Sequence, residues 1–90
     1  MFIAVNHDIS DPASFWASAQ ASLPNLPAGI SIHMVMPNDT MDKSVCLWEA
    51  ESLDQLTTYL EEKTSAFCKN TYQVVNETNA MGLPKAAAMA

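Results

Sequence analysis

The sequence predicts one small α+β domain with the element order β-α-β-β-α-β. Three observations lead there. Apolar residues recur with a period of two in Gly29 to Met36, and a β-rich run follows at Ser44 to Ala50. Helix-start signals at Ser10-Asp11-Pro12 and Ser52-Leu53-Asp54-Gln55 each open a stretch with apolar residues at helical spacing. Ninety residues, 49% apolar and 16% charged, suit a single packed core rather than two domains or a disordered chain.

Phe2 to His7 reads as the first strand, apolar on both faces, as a central strand covered on two sides would be. Asp11 caps the first helix and Pro12 occupies its first turn, where a missing N–H costs nothing. Phe15, Ala19 and Leu23 form its buried stripe, with Trp16 beside them. Ser14, Ser18, Gln20 and Ser22 mark the wet side, and Pro24 and Pro27 end the helix. In the second strand Ile30, Ile32, Met34 and Met36 share one face. Pro37 to Asp42 is a polar hairpin loop.

Pairing Met36 with Lys43 sets Met34 against Val45, Ile32 against Leu47 and His33 against Cys46. Val45 and Leu47 then face the helices, and Cys46 and Trp48 face away. Ser52 and Gln55 form a capping box for the second helix, whose stripe is Leu53, Leu56, Tyr59 and Leu60. Thr64 to Lys69 is a short turn carrying Phe67, and Asn70 to Asn76 is the fourth strand. The domain spans 1–78, and 79–90 is expected to be an irregular, partly mobile tail.

This order is the ferredoxin-like split βαβ motif: a four-stranded antiparallel sheet, order 4-1-3-2, with two helices on one face. The first and third strands are read as parallel neighbours in the centre. The uncovered face then carries Phe2, Ala4, Val35, Cys46, Trp48, Tyr72 and Val74, too apolar to stay in water. A homodimer with facing sheets resolves it.

The segment Cys46-Leu47-Trp48-Glu49-Ala50-Glu51-Ser52, between the hairpin and the second helix, resembles the C-hydrophobic-aromatic-E-A-x-S stretch of small ferredoxin-like proteins of the dimeric α+β barrel superfamily. That group is largely uncharacterised and related to nickel-binding ferredoxin-like proteins. The resemblance implies a dimeric α+β barrel and a possible nickel site. The wider superfamily also holds small monooxygenases, dehydratases and haem-handling enzymes, so the fold implies no single chemistry.

The net charge is −6 and the only basic side chains are four lysines. A phosphate-tracking surface needs clustered cations, so nucleic acid and anionic membrane are excluded as partners. Met1 to Val5 lacks the basic flank of a signal peptide, and no apolar run is long enough to span a bilayer. Two cysteines without a C-x-x-C spacing fit free thiols in a reducing cytoplasm. Gly-rich phosphate loops, G-x-S-x-G and H-E-x-x-H are missing.

The candidate site residues follow from the strand ends. His7 and Glu49 end strands read as parallel, so they are expected to meet as a ligand-binding or proton-relay pair. His33 lies across from Cys46, and a His–thiolate pair suits zinc or nickel. His7 and His33 are the candidate metal ligands. Trp48 and Tyr72, with Cys46 and Asn6, are read as walls of a pocket or an interface between sheets. Three functions fit: a dimer binding a small ligand or a divalent transition metal, a cofactor-independent monooxygenase or isomerase using His7 as acid/base, or a purely structural dimer module.

Overall fold

The computed structural model describes residues 1–85. Strand β1 runs over Phe2–Ile9, helix α1 over Pro12–Ser22, β2 over Ser31–Pro37, β3 over Lys43–Glu49, α2 over Leu53–Thr64 and β4 over Cys68–Val74. A single 3-10 turn, Leu23–Asn25, extends α1. The expected element order and the α+β ferredoxin-like fold are both present, with the strands arranged β2-β3-β1-β4. The Ala86 to Ala90 part of the expected tail lies outside the described residues.

Local chemistry sets the helix starts. Asp11 Oδ1 accepts from the Ser14 N–H at 3.2 Å, and Pro12 sits in the first turn. Ser52 Oγ accepts from the Gln55 N–H at 3.1 Å. The Gln55 side chain reaches back to the Glu51 N–H at 2.9 Å, one residue before the expected partner. Gly29 precedes β2 at φ +84°, and a Cβ there would stand 2.5 Å from Glu51 Oε1. The positive φ is what calls for glycine, since the Glu51 carboxylate could swing aside.

Every strand pair is antiparallel. This corrects the parallel reading of β1 and β3. The crossover through α1 joins β1 to β2, which are parallel but not adjacent. Strand β3 returns from β2 by a hairpin and inserts between them, so it must oppose both. In the resulting register Phe2 pairs with Glu49 and His7 with Ser44. His7 and Glu49 thus lie at opposite ends of the sheet.

The β2–β3 register also differs from expectation. Met36 pairs with Val45, Met34 with Leu47 and Val35 with Cys46, then the register slips between Ile32 and Met34 so that Ile32 pairs with Trp48. His33 is the extra residue of this bulge. A bulge breaks the alternation, placing Ile32 and Val35 on one face and His33, Met34 and Met36 on the other.

β3 is also turned over relative to the sequence reading, because Ile3 pairs with Trp48 and Val5 with Cys46. Ile3, Val5, Cys46 and Trp48 pack with Leu56 and Leu60 of α2, and Tyr72 packs at the edge of that cluster. Ile9 and Cys68 pack with Phe15 of α1. Cys46, Trp48 and Tyr72 are thus helix-side residues, and Val45 and Leu47 lie on the open face. The open face exposes Met34, Met36 and Val45, each 39–47% accessible. Phe2 and Ala4 lie on that face as expected, although Phe2 is buried against the His33 ring, centroids 5.2 Å apart.

A candidate binding site between the helices and the sheet

β1 carries Ile3, Val5, His7 and Ile9 toward the helices. Three of these are ordinary core residues. His7 is the fourth and is only 4% exposed. Its ring rests against Phe15 of α1, centroids 5.1 Å apart. Its Nδ1 is hydrogen-bonded to Asn70 Oδ1, contributed by the neighbouring residue on β4.

The Asn70 amide fixes the proton on that imidazole. Asn70 Nδ2 donates to Glu61 Oε2 at 2.9 Å and to Thr64 Oγ1 at 3.0 Å. The Thr64 hydroxyl spends its own proton on Leu60 O at 2.7 Å, so it can only accept from Asn70. The carboxylate likewise only accepts. The amide oxygen must therefore face His7, and Nδ1 is the donor. Cys68 Sγ donates to the same oxygen at 3.1 Å. Nε2 keeps its lone pair and has no hydrogen-bond partner among the described residues. Burial lowers the His7 pKa below 6.5, against the opposing effects of Asn70 and Glu61. The imidazole is held neutral with a basic Nε2.

Glu61 anchors the outer end of this chain. Tyr72 Oη donates to Glu61 Oε2 at 2.7 Å. The Tyr72 hydroxyl and the Asn70 amide hold the Glu61 carboxyl below its usual range. Tyr72 is pushed well above the ordinary phenol value by burial, reinforced by Glu61. Tyr72 therefore positions a carboxylate and does not titrate near neutrality.

His7 also lines a cavity between the helix layer and the sheet, with Phe15 and Ala19 from α1, Leu60 from α2, and Cys46 and Trp48 from β3. Its volume is about 40 Å³, and its walls are almost wholly apolar. That is room for roughly three water molecules. Trp48 is 4% exposed, and its Nε1–H is the buried side-chain polar atom that lacks a partner among the described residues. Leaving such a donor unpaired costs about 1–3 kcal/mol. Burial raises the thiol pKa of both Cys46 and Cys68, so neither is a thiolate nucleophile at neutral pH.

The other sequence-predicted residues lie elsewhere. His33 and Glu49 meet on the open face, Nε2 to Oε1 at 2.9 Å, beside Phe2. Cys46 is on the opposite face from His33, because the bulge turns His33 over, so no His33–thiolate pair forms. Glu49 cannot join His7 for the antiparallel reason above. Among the described residues no group of three His, Cys, Asp or Glu side chains is placed to hold a metal ion. Asn6 is exposed beside Asp8 and Thr71 in an open depression of about 360 Å³ that His7 also borders. Tyr72 is not in the cavity wall but in the network behind His7.

Sequence reasoning missed Asn70, Thr64 and Glu61. The signal available was the Cys68, Asn70, Tyr72 alternation, which puts two polar groups on one strand face. No protein-family model, no curated protein and no solved structure matches the chain. Among the described residues no helix is long and apolar enough to cross a membrane.

Proposed function

We propose that the protein binds a small, largely apolar molecule in the cavity between its helices and its sheet, with His7 as the polar contact. One observation carries this reading: Trp48, whose indole N–H is buried without a partner among the described residues, lines the same cavity as His7. Cores seldom keep a polar atom at that cost without a use for it. A neutral imidazole held by a fixed amide can also take a proton from a bound hydroxyl, which keeps an acid/base role for His7 within the same site. The test is titration with small aromatic molecules followed by Trp48 indole N–H chemical shift. Saturable movement of that resonance supports the reading, and a resonance insensitive to every compound removes it.

Self-association through the open sheet face is part of the proposal. Met34, Met36 and Val45 form an exposed apolar strip beside Leu47 and Phe2. A homodimer, as in the dimeric α+β barrel proteins the sequence resembles, would cover it. His33 and Glu49 lie on that face and supply two donors, so a nickel or zinc ion there would need further ligands from a second subunit. Sedimentation at twice the 9.8 kDa chain mass would support the dimer, and sedimentation at the single-chain mass would remove it.

A further inference from the structure

We propose that His7 is an acid-sensitive latch for helix α1: a second proton on its imidazole frees Phe15 and lets α1 come away from the sheet before the rest of the domain unfolds. The inference stands apart from the ligand reading, because it needs only the packing around His7.

α1 is the less firmly seated of the two helices. Among its described residues only Phe15 is buried, whereas α2 buries Leu56, Leu60 and Thr64. Phe15 and Ala19 also line the cavity of about 40 Å³, so part of the inner face of α1 rests over a void. The other ties lie at its margins. Trp16 Nε1 donates to Met41 O at 2.9 Å, and the Ser10 and Asp11 N–H groups donate to Phe67 O at 2.8 and 3.1 Å. Leu23 and Leu26, beyond its end, are partly buried against the main core. β1, β3 and β4 are instead joined by continuous ladders. A segment with few buried apolar contacts opens at lower free energy than the whole domain.

The buried anchor of α1 rests on His7, ring centroids 5.1 Å apart. In the neutral ring Asn70 holds the Nδ1 proton, and Nε2 carries only a lone pair. A proton on Nε2 would create a buried cation with a donor that has no acceptor among the described residues. Burying such a group costs far more than leaving a neutral acceptor unpaired.

The surrounding groups do not hold that cation in place. α1 has no titratable side chain, and its cap Asp11 is exposed and bonded to the Ser14 N–H. From α2, Glu61 is exposed and reaches the ring through the Asn70 amide, while Lys63, which lines the same cavity, repels an imidazolium. β3 brings the Cys46 thiol and the Ser44 hydroxyl, 3.6 Å apart. β4 brings Cys68 and Tyr72, and burial keeps these two and Cys46 in their neutral forms. Asp8, next along β1, is exposed. Burial accordingly holds His7 below 6.5, and opening of α1 restores the ordinary value. The open form therefore takes up its proton first as pH falls. Below about pH 6.5 its population rises by up to about tenfold per pH unit, until the closed-form imidazole also protonates.

Amide hydrogen exchange on the intact chain, from about pH 7.5 to about pH 5 and corrected for intrinsic rates, tests the latch. The amides of Trp16 to Ser22 should be less protected than those of β1 and α2 throughout, and their protection should fall by up to about tenfold per pH unit below about pH 6.5. His7→Asn cannot titrate in this range but keeps a donor toward Asn70, and its α1 protection should be level with pH. His33→Gln, on the open face, should behave as wild type. Equal protection of α1 and β1 in wild type makes the opening global and overturns the proposal. So does an α1 protection that is level in wild type, or one that still falls in His7→Asn. The wild-type comparison decides without the variants, and none of these results bears on whether the cavity binds a ligand.

Discussion

Asn70→Ala tests whether the polar network behind His7 is a single unit. Asn70 makes four hydrogen bonds through one amide, to His7, Cys68, Glu61 and Thr64. Their weights differ. Glu61 is exposed and water replaces its lost donor at little cost. Thr64 keeps its bond to Leu60 O. The loss falls on His7, 4% exposed, whose Nδ1–H is left unpaired in the core. An orphaned buried donor costs about 1–3 kcal/mol, and the remaining contacts add roughly one more, for a total of about 2–4 kcal/mol. A domain of this size has about 5–13 kcal/mol in all, so the variant loses a large fraction of its stability. Urea unfolding followed by circular dichroism measures the difference, with the slope expected to be unchanged. Tyr72→Phe is the control. It removes only the bond to exposed Glu61 and should cost about 1 kcal/mol or less. An Asn70→Ala protein within about 0.5 kcal/mol of wild type, or a Tyr72→Phe protein equally destabilised, refutes the assignment of Asn70 as the hub that holds His7.

Other predictions concern the same residues and the open face. His7 is held below its ordinary pKa of 6.5 by burial, so the unfolded chain protonates first as pH falls. The stability associated with neutral His7 is therefore complete above about pH 6.5 and declines below it until the folded-state imidazole protonates. His7→Gln should lack this decline in a comparison of unfolding curves across that range. Trp48→Phe removes an unpaired donor but leaves a void, two effects of about 1 kcal/mol each and opposite sign, so its stability should stay within about 1 kcal/mol of wild type. Met36→Glu puts a charge on the exposed strip of the open face and should shift sedimentation to the single-chain mass of 9.8 kDa without loss of the far-ultraviolet spectrum.

The element order was legible because its signals are local. Asp11-Pro12 and Ser52-x-x-Gln55 announce helices whichever way the sheet is assembled, and both act as caps. The sheet faces were not legible, because the antiparallel β1–β3 register sets Cys46 and Trp48 beside Val5 and Ile3, and a bulge of one residue at His33 turns part of β2. Ile32, Met34 and Met36 alternate so regularly that nothing in the sequence marks Ile32 as turned away from the other two. The hairpin loop added a second ambiguity. Asn38 and Asp42 close it through their side chains, and the Asn38 N–H bonds to Lys43 O at 2.9 Å, two positions from the register that apolar matching suggests. The site suffered in proportion. His7 reads from the sequence as a candidate site residue paired with Glu49, but its partner is Asn70 on β4. An asparagine beside an exposed Glu and a Thr gives no sequence signal until the β1–β4 ladder places it opposite a histidine.

The central claim is that the space under α1, between His7 and Trp48, is a binding site. The Trp48 indole N–H resonance during titration with small aromatic molecules tests it most directly. A saturable shift of that resonance is the expected result. A Trp48 resonance that stays fixed throughout the titration contradicts it.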